Sequence, residues 1–165
     1  MTFKSASIAC ALLAWFGHGT PVDADGTAGF TTIAQGDRSG ITSDRQFAIR
    51  DGEAWKAFWL AHAGPSEPLP PVDFRSEMVV VVHLGTRPTG GYAARITRID
   101  RESGALTVHY DEQKPGAGCL VPQVLTQPHH IVTMPKTRAD PVFVKHERIE
   151  DCAADHSPPA LITVS

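Results

Sequence analysis

Histidines and cysteines are the residues of this 165-residue chain with the widest chemistry, eight of the first kind and three of the second. Imidazoles bind transition metals and move protons, whereas thiols act as nucleophiles, bind metals or pair as disulfides. The adjacent His129 and His130 would point to opposite faces of a strand, so they cannot easily share a metal. A site built from His83, His109, His130 or His146 is conceivable in three dimensions, but their spacing does not indicate one.

The cysteines favour a disulfide over a reactive thiol. Cys10 lies in an apolar N-terminal stretch that is predicted below to be removed, which leaves Cys119 and Cys152. An even pair in an oxidising compartment predicts the bridge Cys119–Cys152. Two free or buried thiols, or a Cys119 nucleophile activated by a distant histidine, are the alternatives.

Short motifs of known enzymes are missing. The sequence contains no H-E-x-x-H, C-x-x-C, G-x-S-x-G or G-x-x-x-x-G-K-[ST]. We therefore expect no catalytic residue, no metal ligand and no cofactor, and we predict that the protein is not an enzyme. An enzyme with an unrecognised cysteine or metal site remains an alternative.

Two loops rich in glycine and proline are candidates for recognition. Lys114 to Gly118 is one of them, and loops of this kind present binding groups on rigid sheets. Ordinary turn chemistry is the simpler interpretation of each loop. The candidate binding loop of greater interest combines a cation, a proline, two glycines and an aromatic ring: Arg87, Pro88, Thr89, Gly90, Gly91 and Tyr92.

The N-terminus has the pattern of a secretory signal peptide over residues 1–24. Lys4 supplies a positive charge, Ala6 to Phe16 is apolar except for Ser7, and Val22-Asp23-Ala24 predicts cleavage after Ala24. A transmembrane span needs about 20 apolar residues, so this stretch is too short for an anchor. We expect a secreted or periplasmic protein that does not stay inserted in a membrane. Its formal net charge of -3 gives no basic excess for nucleic acid.

The remaining residues, 25–165, are predicted to form one α+β domain. Trp55, Phe58, Trp59 and His62 recur on one face of a helix from about Asp51, its N-cap, to Ala63. About five to seven antiparallel strands complete a β-meander with that helix packed on one face. Residues 25–29 and 147–159 are expected to be loop-like, and Leu161 to Val164 is either a last strand or a tail. The strands are predicted near residues 30–35, 45–50, 78–84, 92–99, 105–110, 131–134 and 142–146.

Met78 to Leu84 (MVVVVHL) is the strongest strand signal. A nearly continuous β-branched run is typical of a strand buried on both faces, which places it in the centre of the sheet. His83 within it is interpreted as a hydrogen-bonded core or edge histidine. With the strands at 92–99 and 105–110, this strand is predicted to form a three-stranded meander.

Several short patches in order resemble the PrcB C-terminal-domain family, which is named for a stability subunit of a surface protease complex. They span roughly Phe47 to Val144, most of the chain after the signal peptide. The patches are the W-x-x-x-W of Trp55 to Trp59, Val72-Asp73-Phe74 before Met78 to Val82, Gly85, Pro88 to Tyr92, the Pro115 to Cys119 loop, and Gln127-Pro128 before Ile131 to Pro135.

The resemblance implies a small extracytoplasmic domain without catalysis. Its expected partner is a protein, such as an extracytoplasmic protease or an envelope complex, which it would stabilise. The family has no established catalytic residues to carry over to this chain.

A second resemblance concerns one loop. Pro88-Thr89-Gly90-Gly91-Tyr92 is similar to the P-T-T-G-[YF] loop of chagasin-type inhibitors of cysteine proteases, and Gly116-Ala117-Gly118 could correspond to their second glycine loop. Their third R-P-W loop has no match here, and a tryptophan-rich helix interrupts the β pattern. Inhibition of cysteine proteases is therefore the alternative function.

Overall fold

The computed structural model describes residues 26–152. The predicted signal peptide with its cleavage site, and the Leu161 to Val164 segment, lie outside the described residues. Within them, no helix is long and apolar enough to cross a membrane. Residues 26–152 form seven strands and one helix, in the order β1 (Thr31–Gly36), β2 (Asp44–Ile49), α1 (Gly52–Ala63), β3 (Glu77–Leu84), β4 (Ala93–Glu102), β5 (Ala105–Pro115), β6 (His129–Pro135) and β7 (Pro141–Glu150).

The single helix begins and ends where its sequence signals predict. Asp51 is the N-cap, and its carboxylate accepts a hydrogen bond from the Ala54 amide at 2.9 Å. Gly64, with φ of 87°, ends the helix. One face buries Trp55, Trp59 and His62. This buried face packs against the sheet, and His62 is its last residue toward the end of the helix.

The strands form two sheets, which corrects the predicted meander while confirming the α+β class. One sheet has the order β1-β6-β3-β2 with every pair antiparallel, and the other has the order β4-β5-β7. Both edges of β3 are occupied by β2 and β6, so β4 cannot pair with it and crosses to the second sheet. The β4–β5 hairpin is antiparallel as predicted, but β7 joins β5 in parallel.

β7 is longer than predicted, so residues 147–150 are strand and not loop. It pairs with β5 in continuous register from Leu106↔Pro141 to Pro115↔Glu150. Charged side chains on this exposed edge strand form ion pairs with β5, including Lys114–Glu147 at 2.9 Å. Charge is common on edge strands because it discourages further pairing. In residues 147–150 this charge resembles the polar composition of a loop, which is why the sequence predicted a loop there.

The helix, the four-stranded sheet and the three-stranded sheet form three layers, and β3 lies in the middle layer. Met78, Val80 and Val82 of β3 pack toward the second sheet, whereas Val79 and Val81 pack toward the tryptophans of α1. All these side chains have 0% exposure, which confirms the prediction of a central strand buried on both faces. Alternation along the strand then places the next odd position, His83, in the layer between sheet and helix.

Candidate functional site

Three histidines from separate elements meet between α1 and the four-stranded sheet. His62 lies on the last turn of α1, and His83 and His129 are directly paired residues of β3 and β6. Each can offer one ring nitrogen such that the three atoms lie within 4.8 Å of one another. We call His62, His83 and His129 the histidine cluster. Its imidazoles are the residues of the described chain best placed to hold a metal ion.

The cluster is buried under aromatic rings. His62, His83 and His129 are 6%, 0% and 4% exposed. The rings of His83 and His129 stack with centroids 5.3 Å apart, and the ring of His62 meets that of His129 edge-on at 4.4 Å. Phe58 stacks on His62 at 5.7 Å. These contacts hold all three imidazoles in place and away from bulk water.

Two of the three imidazoles are oriented by hydrogen bonds at Nδ1. Nδ1 of His129 lies 3.1 Å from the carbonyl oxygen of Gln127, which can only accept, so this nitrogen carries the hydrogen and Nε2 has the free lone pair. Nδ1 of His62 lies 2.9 Å from Oγ of Ser39. In both residues Nε2 is the nitrogen left for a ligand.

The third imidazole has no polar partner. Neither ring nitrogen of His83 has a hydrogen-bond partner among the described residues, although the side chain is fully buried. An unsatisfied buried polar group costs about 1–3 kcal/mol. The prediction that His83 is a hydrogen-bonded core histidine is therefore wrong about its hydrogen bonds.

Burial keeps the cluster uncharged. It lowers the pKa of His62 to about 4, with repulsion from His129 adding to the effect. It lowers the pKa of His83 to about 3, with His129, His62 and Arg45 contributing in the same direction. The pKa of His129 is also lowered by burial, against the Gln127 carbonyl and the charge of Asp37. Neutral imidazoles have the lone pairs that metals require.

A turn clamps the helix end that carries His62. The Gly40 amide donates to the His62 carbonyl at 2.9 Å, and Ser39 of the same turn contacts the His62 ring. A Cβ at Gly40 would come within 2.4 Å of the Ala61 carbonyl oxygen, so only glycine permits this approach. Ser39, His62 and Gln127 also line a surface hollow, which leads from solvent to the edge of the cluster.

The histidines considered at the sequence level separate into three places. His130 points to the opposite face from His129, as predicted, and its Nδ1 accepts from the Ile96 amide at 2.8 Å between the two sheets. His109 and His146 lie 3.3 Å apart across β5 and β7, on the face away from the core. His83 and His129 belong to the cluster, whereas the other three do not. The sequence places His62 in the apolar stripe of α1, and its spacing of seven residues from Trp55 is the signal that it faces the sheet.

The candidate binding loop is partly internal. Arg87 donates from Nε and Nη2 to Oε1 of Glu112 at 3.0 and 2.8 Å, so its charge faces the protein. Burial raises the pKa of Glu112, but hydrogen bonds from Lys145 and Arg87 outweigh it and the pKa is lowered. Gly90 is buried, whereas Pro88 and Gly91 are exposed and Thr89 and Tyr92 are half-buried. A Cβ at Gly90 would lie 3.0 Å from the Pro122 ring.

A neighbouring segment exposes apolar side chains to solvent. Leu120 is 103% exposed, Leu125 69% and Val124 56%. We call residues 119–125 the apolar loop. It contains no strand, and the backbones of Arg87 and Thr126 pair at its end at 2.8 and 3.0 Å.

A disulfide anchors the other end of the apolar loop. Cys119 and Cys152 are bonded, with Cα atoms 5.0 Å apart, as the sequence predicted. The bond joins the start of the loop to the residues that follow β7, and it removes Cys119 as a nucleophile. The start of the apolar loop is therefore fixed beside the end of β7, and its other end is fixed to Arg87.

Comparison with known proteins identifies one stretch of the chain. Residues 78–135 match the model of a family described as PrcB C-terminal. The resemblance indicated by the sequence patches is confirmed over this stretch, which covers nearly all of β3 and continues to the end of β6. It includes His83, His129 and both loops, but the tryptophan helix lies outside it. No curated protein and no solved structure matches the chain.

Proposed function

We propose that the protein is an extracytoplasmic accessory domain that binds and stabilises a protein of an envelope protease complex, without catalysis of its own. The match of residues 78–135 to the PrcB C-terminal family carries this proposal, because that family's name denotes an accessory part of a protease complex. The signal-peptide pattern of residues 1–24 supports export. The disulfide supports it too, since such bonds persist mainly in oxidising compartments.

The apolar loop is the proposed contact surface. Covering an exposed leucine side chain removes apolar surface from water, which is favourable, and neighbouring exposed apolar side chains mark protein-interaction sites. Anchoring by the disulfide and by the Arg87–Thr126 backbone pair limits the ordering that binding must impose on the loop. The apolar loop also lies inside the matched stretch.

The adjacent Pro88 to Tyr92 segment belongs to the same surface. The Gly90 amide donates to the Pro122 carbonyl at 2.8 Å, so the candidate binding loop rests against the apolar loop. The internal ion pair of Arg87 with Glu112 fixes the base of this surface. A bound partner would therefore contact Pro88, Gly91 and the protruding leucines, and it would not contact the charge of Arg87.

Cross-linking of the chain in its own cell envelope, followed by capture, tests the proposal. We expect an extracytoplasmic protease or a protein of its complex to be captured, and its abundance to fall when the chain is deleted. Leu120→Gln with Leu125→Gln should abolish capture. The matched control is Leu60→Gln with Leu69→Gln, which replaces exposed leucines elsewhere (56% and 44%) and should preserve capture.

Equal capture by both double variants would reject the apolar loop as the contact surface. Unchanged abundance of every envelope protease after deletion would reject the stabilising role. Inhibition of a papain-like protease by the purified protein would favour the chagasin-like hypothesis instead.

A further inference from the structure

We propose that His62, His83 and His129 form a three-imidazole site for one late first-row divalent ion, of the Zn²⁺ class, which ties α1 to the central strands. The site is independent of the proposed partner surface. Its ligands come from the helix and from the paired residues of β3 and β6, so the bound ion would connect the outer layer of the fold to the middle one.

The unpartnered nitrogens are the first argument. Nδ1 of His62 and Nδ1 of His129 are held by Ser39 and Gln127, which leaves Nε2 of each ring. Histidines that bind metals usually have such a partner on the other ring nitrogen, because it sets the tautomer and the ring orientation. His83 has two buried nitrogens without a partner among the described residues. A metal ion would satisfy one of them and would use the lone pairs of the other two rings.

The donor set selects the kind of ion. Three neutral imidazoles without a thiolate or a carboxylate suit zinc, copper, nickel or iron, whereas magnesium and calcium require oxygen ligands. Zn–N bonds of about 2.0–2.1 Å in a tetrahedral site place the nitrogens about 3.4 Å apart. The present separations reach 4.8 Å at most, so the rings need to close by about 1.4 Å or less, judged from that zinc geometry.

The hollow beside His62 gives an ion a path from solvent and leaves space for a fourth ligand. Ser39 and Gln127, which orient two of the imidazoles, line it together with His62. Three protein ligands leave one tetrahedral position, which water commonly fills. Gly36 of β1 is paired with His129, and a Cβ at Gly36 would lie 3.7 Å from Nε2 of His129.

Aromatic packing alone is the competing explanation. It accounts for the stacking of Phe58 on His62 and of His83 on His129, in which apolar side chains could replace the imidazoles. It does not account for three buried imidazoles, each with a ring nitrogen within 4.8 Å of the others, in a region that contains a tryptophan and valine core. The two explanations differ in what the loss of one nitrogen does to metal binding.

Metal titration of the full, untagged, disulfide-bonded protein tests the site. After the protein is stripped with chelator and the chelator is removed, calorimetry with Zn²⁺ should show one ion per chain, and Co²⁺ should give visible absorption bands of a tetrahedral site. His83→Leu and His62→Ala should each weaken Zn²⁺ binding at least 100-fold, beyond the 10–100-fold typical of losing an outer partner. Ser39→Ala should weaken it about tenfold, because it removes only such a partner.

The control is the double variant His109→Ala with His146→Ala, which removes the other histidine pair. It should bind Zn²⁺ with unchanged stoichiometry and affinity. Circular dichroism verifies the fold of each variant, and His62→Ala at the helix end provides a second reading if His83→Leu does not fold. No saturable binding by the parent protein, unchanged affinity in folded His62→Ala, or loss of binding in the control would overturn the proposal.

Discussion

The two histidine groups of this protein show how differently the same side chain behaves inside and outside the layers. His109 and His146 lie on the outer face of the second sheet, where Nε2 of His109 is 3.1 Å from Asp100 and Arg98 is 3.0 Å from the same carboxylate. The histidine cluster lies on the face of the first sheet that packs against α1. Its hydrogen bonds go to one hydroxyl and one carbonyl, and none goes to a carboxylate.

The difference follows from alternation along the strands. In β5, Leu106, Val108 and Tyr110 face the core, so His109 must face out. In β3, both faces are buried, so His83 has no outward side to occupy. Surface histidines can take water and charges as partners, whereas a buried histidine depends on whatever its neighbours provide. The cluster provides other imidazoles, and that is the arrangement a metal ion would use.

The largest contrast is expected when lysine replaces one histidine of each group. His83→Lys places an amine where no carboxylate is bonded to the cluster, and an uncompensated buried charge costs about 3–5 kcal/mol of unfolding free energy. His109→Lys keeps Asp100 as a partner at the surface and should change stability by less than about 1 kcal/mol.

Urea denaturation of both variants in the presence of chelator measures this contrast. His130 does not affect this comparison, because its side chain lies on the other face of β6, away from the cluster. Equal losses for the two variants would mean that the cluster is as well solvated as the outer pair.

The second contrast is the effect of acid on the metal-free protein. Burial lowers the folded-state pKa of His62 to about 4 and of His83 to about 3, below the ordinary 6.5. Between these values the unfolded chain binds more protons, so stability present above pH 6.5 is lost as the pH falls toward 4. Each such imidazole contributes a slope of up to about 1.4 kcal/mol per pH unit.

Urea denaturation at pH 7, 6 and 5 with chelator present measures the slope. The charged groups that act on these rings are Arg45 on His83, Asp37 on His129, and Arg95 on His130, whose pKa burial also lowers to about 4. His83→Leu should reduce the pH slope of the unfolding free energy by the contribution of one imidazole. His109→Leu should leave the contributions of the cluster unchanged. A stability that does not change from pH 7 to pH 5 would contradict the burial of the cluster.

Much of the scaffold around the cluster is predictable from single residues. Asp51 and Gly64 mark the ends of α1, the β-branched run marks β3 as central, and the two cysteines outside the predicted signal peptide give the disulfide. These features depend on local preferences, which the sequence carries directly. The sequence patches around Pro88 and Pro128 predict the family resemblance, which the match over residues 78–135 confirms.

The pairing of distant strands is what the sequence does not reveal. His83 and His129 become partners only because β3 and β6 pair in one particular register, and many registers would satisfy the same apolar pattern. The division into two sheets has the same origin, since the edges of β3 are filled by strands that precede and follow it by long intervals. The parallel β5–β7 pair also lacks any short turn signal.

The smallest contrast concerns the sign of a stability change: one variant should be more stable than the parent protein without metal. The same variant also tests whether Zn²⁺ stabilises the fold through the cluster. His83→Leu removes two buried nitrogens without partners and keeps a side chain of similar size, so the metal-free protein at pH 7.5 should gain about 1 kcal/mol. His109→Leu loses the contacts to Asp100 and His146 at the surface and should gain nothing. Thermal denaturation with chelator distinguishes the two. Saturating Zn²⁺ should then stabilise the parent protein but not His83→Leu, because an ion that binds only the folded state adds its binding free energy to folding. A gain for His83→Leu that persists in full under Zn²⁺ would show that its ring serves the core and not a metal.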